Sequence, residues 1–210
     1  MGEILDEINR VHREVGTRKA GAEEAGTVLL RRTYDAEVAD VWDAVTSPER
    51  IARWFLPVSG EFTAGGHYQL EGNAGGEILE CVPPERLRVS WLSGPEPGFS
   101  EVEVRLAPEG DGRTVFELEH VAVVPEEFRA RFGPGAVGIG WDLALLGLAT
   151  HVAGGEITPE EAAAWQTSPE ATAIVTRSAQ EWGAAYAASG AGPEVVATTT
   201  AATIGFYTGA

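Results

Sequence analysis

The order of apolar and polar positions divides the chain into an opening helical stretch, a long middle stretch of period two and a closing helical stretch. Near the start, Ile4, Ile8, Val11 and Val15 recur at four, three and four residues, which predicts a short amphipathic helix ending at Gly16. Its stripe needs a cover, supplied by its own domain or by a second subunit. Thr27 to Tyr34 is β-branched and aliphatic and predicts a strand. Val38, Val41, Trp42 and Val45 return to helical spacing. Ser47-Pro48-Glu49 then offers a cap, a first-turn proline and a first-turn acid to a second helix carrying Ile51, Trp54 and Phe55, which Pro57 stops.

From Val58 to Val124 the period is two. Tyr68 and Leu70, Ile78 and Val82, Leu87, Val89 and Trp91, Val102, Val104 and Leu106, then Phe116, Leu118 and His120 share one face. Ala64-Gly65-Gly66, Asn73-Ala74-Gly75-Gly76, Pro83-Pro84, Pro95-Glu96-Pro97 and Glu109-Gly110-Asp111-Gly112 read as the turns between strands. Arg88, Glu101, Glu103, Arg105, Glu117 and Glu119 fall in the opposite phase, so one side of an antiparallel meander faces water and the other needs a cover. Gly135 to Ala153, apolar almost all round, predicts the covering helix; a membrane span needs ~20 apolar residues, and this run, broken by Asp142, is shorter. Thr158-Pro159-Glu160-Glu161 and Ser168-Pro169-Glu170 start two more helices, anchored by Trp165, Ile174, Val175 and Trp182 and ended by the break at Gly190 to Pro193. Residues 194–210 fit either a short helix or a docking tail. The organisation expected is an N-terminal amphipathic helix and linker over 1–26, a core domain over 27–154 and a helical extension over 155–210.

Composition narrows the partners. The 210 residues carry 15 bases against 32 acids, a net charge of −17, with no basic patch, which argues against nucleic acid and anionic membrane. One cysteine, Cys81, and no secretory signal pattern lead to the expectation of a reducing cytoplasm.

Few motifs carry chemistry. Gly133-Pro-Gly135-Ala-Val-Gly138 spells the dinucleotide fingerprint, but it follows a helical turn and no strand runs downstream to supply the ribose acid. Its glycines are better read as steric, letting the covering helix approach the sheet. His12, His67, His120 and His151 have no metal-site spacing and one cysteine makes no thiolate cluster, so neither metal nor cofactor is expected. No nucleophile motif appears, and Glu103, Glu117 and Glu119 point to the wet face. His120 is the weak catalytic candidate: in phase with Phe116 and Leu118, it must find a partner or touch a cavity. The aromatic residues on covered faces serve equally as core or as cavity lining.

In order and residues the chain resembles the START/Bet v 1-like (SRPBCC) superfamily, in its heat-shock-protein-90 ATPase activator homologue branch. The resemblance rests on Val41-Trp42-Asp-Ala-Val45-Thr46-Ser47-Pro48-Glu49, Trp54, Gly65-Gly66, Pro84-Glu85-Arg86-Leu87 into Trp91, His120 and Gly140-Trp141, and it covers residues 27 to about 154. It implies an α+β helix-grip fold, a curved antiparallel sheet around a long C-terminal helix with a hydrophobic cavity between them. The ligand-binding positions expected there are Trp54, Phe55, Phe62, Tyr68, Trp91, Phe116, His120, Trp141 and Leu145. The leading functional expectation is a small hydrophobic or amphipathic ligand bound in that cavity. The alternatives are an enzyme on such a ligand, cyclase or aromatase-like, with His120 as acid or base and Tyr68 as hydrogen-bond donor, and a chaperone-associated interaction module. The terminal segments lie outside the resemblance; they are expected to cover the cavity mouth or to form an interface, including a homodimer.

Overall fold

The computed structural model describes residues 2–94 and 98–209, so the predicted turn at Pro95-Glu96-Pro97 lies outside the described residues. Its elements run α1 (Gly2–Asn9), β1 (His12–Ala20), β2 (Glu23–Tyr34), α2 (Val38–Thr46), α3 (Pro48–Trp54), β3 (Val58–Gly60), β4 (His67–Leu70), β5 (Gly75–Val82), β6 (Arg86–Ser90), β7 (Ser100–Gly110), β8 (Arg113–Ala122), α4 (Glu126–Phe132), α5 (Gly135–Val152), α6 (Pro159–Gln166), α7 (Pro169–Ala188) and α8 (Pro193–Thr208). The strands form one antiparallel sheet in the order β1-β2-β8-β7-β6-β5-β4-β3. Its covered face carries Val28 and Leu30 of β2, Leu118 and His120 of β8 and Val102 and Val104 of β7, packed against Ile139, Leu145 and Leu148 of α5. This is the α+β helix-grip architecture, with α2 and α3 closing one end. The wet face is a ladder of charges in which Arg105 meets Glu103 of its own strand and Glu117 of β8, both at 2.8 Å, and Arg88 of β6 meets Glu101 of β7 at 3.0 Å. Exposed pairs of this kind contribute less than about 1 kcal/mol each and chiefly fix which face is wet.

Four sequence expectations are corrected. The N-terminal helix stops at Asn9, and His12–Ala20 is an edge strand in full register with β2, so the sheet begins well before residue 27. Val11, Arg13 and Val15 alternate onto the covered face, and the alternation is hidden in the sequence because a buried arginine sits between the valines. Arg13 is accepted there by Asp142 of α5, which takes its Nη2 at 2.9 Å and its Nε at 3.1 Å, while the Ile8 carbonyl accepts from Nη2 and the Val11 carbonyl from Nη1, both at 2.9 Å. The second correction is local. The turn after β4 ends at Ala74, and Gly75 and Gly76 belong to β5, where a Cβ on Gly76 would lie 2.3 Å from the Ser90 carbonyl of β6. Third, the Ser47 side chain does not cap α3 but donates to Glu49 at 3.1 Å.

The fourth correction concerns Gly135, Gly138 and Gly140 of α5, which admit the C-terminal helices rather than the sheet. A Cβ on Gly138 would meet the Trp182 indole of α7 at 2.2 Å, and one on Gly135 would meet Thr203 of α8 at 3.1 Å. Helix α5 is therefore covered on both sides, which is why it is apolar all round. Its 18 residues would suffice by length and composition for a membrane crossing, yet half of them are buried by the sheet and by α7, and Asp142 is held inside. Both cap-proline-acid starts are found as read, with Thr158 and Glu161 in a reciprocal capping box on α6 and Ser168 accepting from the Ala171 amide on α7. Residues 193–208 are helix, not tail.

Candidate functional site

The covered face and α5 enclose an apolar cavity of about 140 Å³. Strand alternation supplies one wall through Val102, Val104, Phe116 and Leu118; α5 supplies another through Trp141, Ala144 and Leu145; and Trp54 and Phe55 at the end of α3 close a third. Trp54 is fixed by its indole N–H, which donates to the Ala44 carbonyl of α2 at 2.9 Å. Eight of the nine positions expected from the sequence border this cavity: Trp54, Phe55, Phe62, Tyr68, Trp91, Phe116, Trp141 and Leu145. Phe62 sits at its rim, 38% exposed. Tyr68 is not available as a donor to a ligand, because its hydroxyl already donates to the Ser90 carbonyl at 2.7 Å.

Three of these rings are shared with a second space. Phe55, Trp91 and Trp141 also face a cleft of about 640 Å³ between the segment that follows β6, the start of β7, the end of β8 and the first turns of α5. They form an aromatic partition: Trp91 and Trp141 lie 4.9 Å apart, and Phe55 is stacked 6.3 Å from Trp91 and 6.4 Å from Trp141.

His120 belongs to this outer cleft and not to the inner cavity. The Trp141 indole N–H donates to its Nδ1 at 3.1 Å, and its Nε2 lies 2.9 Å from the Ser100 hydroxyl oxygen. An indole nitrogen only donates, so Nδ1 must be bare and the ring hydrogen must sit on Nε2. Burial pushes the imidazole down to about 4, so at neutral pH it is uncharged. A serine paired with histidine invites a nucleophile reading, but that chemistry needs Nε2 to accept the serine proton. Here Nε2 donates instead. The same state leaves His120 poorly placed as a general base while the Trp141 bond holds.

Ser100 is the residue that sequence reasoning missed. It is in phase with Val102, Val104 and Leu106 on the covered face of β7, and that phase was the available signal; a lone serine next to a loop drew no notice. A third cleft, of about 520 Å³, lies beyond His120 under β1 and β2 and is more polar, with Thr17, Arg129 and Tyr186 in its lining. Among the described residues, nothing from 155–209 lines the inner cavity or the outer cleft; Tyr186 of α7 and Ser189 just after it reach only the third. The extension therefore does not cover the cavity at these positions. Its bulky anchors Ile174 and Trp182 are spent within the chain, while Val195 and Phe206 of α8 stay exposed.

Comparison with known proteins agrees with this architecture. The crystal structure of CalU16 from Micromonospora echinospora is similar at 38% identity and a TM-score of 0.67, over 83% of this chain and 97% of that one. Its solution structure gives 38% and 0.71 over 85% and 96%. DynU16, a protein of the dynemicin biosynthetic locus, shares 24% identity at a TM-score of 0.52 over 62% of this chain and 48% of its own, a likeness of fold alone. No curated protein sequence matches the chain. Residues 35–153 match the pattern described as Activator of Hsp90 ATPase homolog 1-like protein, and the chain belongs to that family.

Proposed function

We propose that the protein binds a small hydrophobic or amphipathic molecule between its sheet and α5. One observation carries the reading: the inner cavity and the outer cleft share Phe55, Trp91 and Trp141, so an apolar chamber adjoins a larger space holding one hydrogen-bonded polar pair. Pockets of this composition, apolar with few convergent polar groups, are the usual form of small-molecule sites. The inner chamber alone is comparable to an apolar cavity of about 150 Å³ that takes up benzene in another protein. A larger ligand must also occupy the cleft. With Nδ1 of His120 taken by the Trp141 indole and Nε2 donating to Ser100, the pair favours binding over turnover, and the single free thiol, Cys81, fits a reducing compartment such as the cytoplasm.

The test is titration with the uncharged dye N-phenyl-1-naphthylamine, followed by displacement with candidate ligands. Saturable enhancement in the wild type is expected. It should vanish in Val102→Phe, which fills the inner cavity from a buried position while circular dichroism shows the fold retained. Absence of saturable binding in the wild type, or equal binding by Val102→Phe, overturns the reading.

A further inference from the structure

Three groups in the outer cleft form a one-directional hydrogen-bond chain. It starts at the Trp141 indole, which has a hydrogen to give and no lone pair to receive with. That hydrogen goes to Nδ1 of His120 at 3.1 Å. The hydrogen on Nε2 must then go to the Ser100 oxygen at 2.9 Å. Ser100 receives on its oxygen, and its own hydrogen has no acceptor among the described residues. Ser100 is in phase with Val102 and pairs with Ala122, so its side chain lies on the covered face and borders the cleft beside Trp91 and Trp141. Bonds donated in series polarise one another, so the terminal hydroxyl is a stronger donor than an isolated serine.

We infer that Ser100 is a binding residue which donates its hydroxyl hydrogen to an uncharged acceptor oxygen, a carbonyl, on a planar aromatic ligand lying against the Trp91–Trp141 partition. The inference rests on the proposed ligand binding and names its chemistry. An anionic oxygen fits poorly: the imidazole behind Ser100 is neutral, and the chain carries a net charge of −17. The rings supply flat apolar surface, with Phe55, Trp91 and Trp141 within 6.4 Å of one another. The polar content of the ligand is thereby placed at one edge, within reach of Ser100.

The probes are 9-fluorenone and fluorene, which differ by one carbonyl on the same ring frame. Isothermal titration of the full chain should show the ketone bound about fivefold more tightly, the worth of one net hydrogen bond. Ser100→Ala should bring the ratio to one while leaving the fluorene affinity in place, and the carbonyl stretch of bound fluorenone should lie lower in the wild type than in the variant. Nitrogen-15 NMR of the unliganded wild type should show His120 bare at Nδ1 and protonated at Nε2. The inference is overturned, with binding intact, if fluorene binds as tightly as fluorenone, if Ser100→Ala leaves the ratio and the stretch unchanged, or if His120 carries its hydrogen on Nδ1. If neither probe binds the wild type, the binding reading falls and takes this inference with it.

Discussion

Replacing Arg13 by Met tests whether the edge strand and the C-terminal extension are integral to the domain. The two side chains of the Arg13–Asp142 pair are 3% and 0% exposed, so neither charge has access to water. Asp142 also accepts from the Ser178 hydroxyl and, at 3.0 Å, from the Trp182 indole, so one carboxylate joins β1, α5 and α7. Burial pushes that carboxyl up, and Arg13, Ser178 and Trp182 pull it back. Removing only the arginine leaves a buried carboxyl without its cation, a change that costs about 3–5 kcal/mol. For a domain of this size the melting temperature should fall by roughly 6–20 °C, at about 2–4 °C per kcal/mol. Urea unfolding of Arg13→Met, Asp142→Asn and the double variant gives the cycle. The double variant should be more stable than the sum of the single losses implies, by at least ~2 kcal/mol, since each single change strands the other partner. A loss below about 1 kcal/mol for Arg13→Met, with strictly additive effects, would refute the reasoning and leave burial of Trp182 as the main tie.

Lowering pH should weaken the fold through His120. Its folded value lies near 4, below the ordinary 6.5, so only the unfolded chain takes up the proton between those values. Stability is full above pH 6.5 and falls by about 2 kcal/mol at pH 5, and His120→Phe should flatten that part of the urea-derived profile; an equally steep profile in the variant counts against it. Gly138→Ala should destabilise by about 1–3 kcal/mol despite the better helix propensity of alanine, because the new methyl meets the Trp182 ring; a neutral or raised melting temperature would mean that α7 sits farther off. Tyr68→Phe should cost about 1 kcal/mol in thermal unfolding through its lost bond to Ser90 and leave dye affinity unchanged; loss of dye binding instead would give the hydroxyl a ligand role.

The helix-grip core was legible because its signals are local. Val102 to Leu106 and Phe116 to His120 alternate strictly, and Gly135 to Val152 is too apolar to face water on any side. Strand β1 was not legible for a long-range reason: Arg13 belongs inside only because Asp142, 129 residues away, neutralises it. Without that partner in view, an arginine between Val11 and Val15 reads as polar, and the valines fall into helical spacing with Ile8. The glycines of α5 were read correctly as steric, but sequence offers no means of telling which neighbour they admit. The candidate site divided in the same way. Large aromatic residues announce themselves, whereas Ser100 and the tautomer of His120 depend on a 3.1 Å contact between two elements that sequence cannot bring together.

The position of the C-terminal extension bears on how the site is held. Helix α5 presents Trp141, Leu145 and Leu148 toward the domain core and Gly138 and Asp142 to α7, and these two groups of residues interleave along the same turns. Trp141 is the residue next to Asp142, so the buried anchor that α7 and β1 place on Asp142 also fixes the rotation of α5 that sets the Trp141 indole against His120. A rotation of α5 by even part of one residue's step would carry the indole off Nδ1, free the imidazole to take either tautomer, and end the one-directional chain to Ser100. The extension thus acts on the cleft from behind the helix. On this reasoning, loosening it by Gly138→Ala should reduce the fluorenone preference as well as the melting temperature, and a melting temperature that falls while the preference holds would separate the two roles.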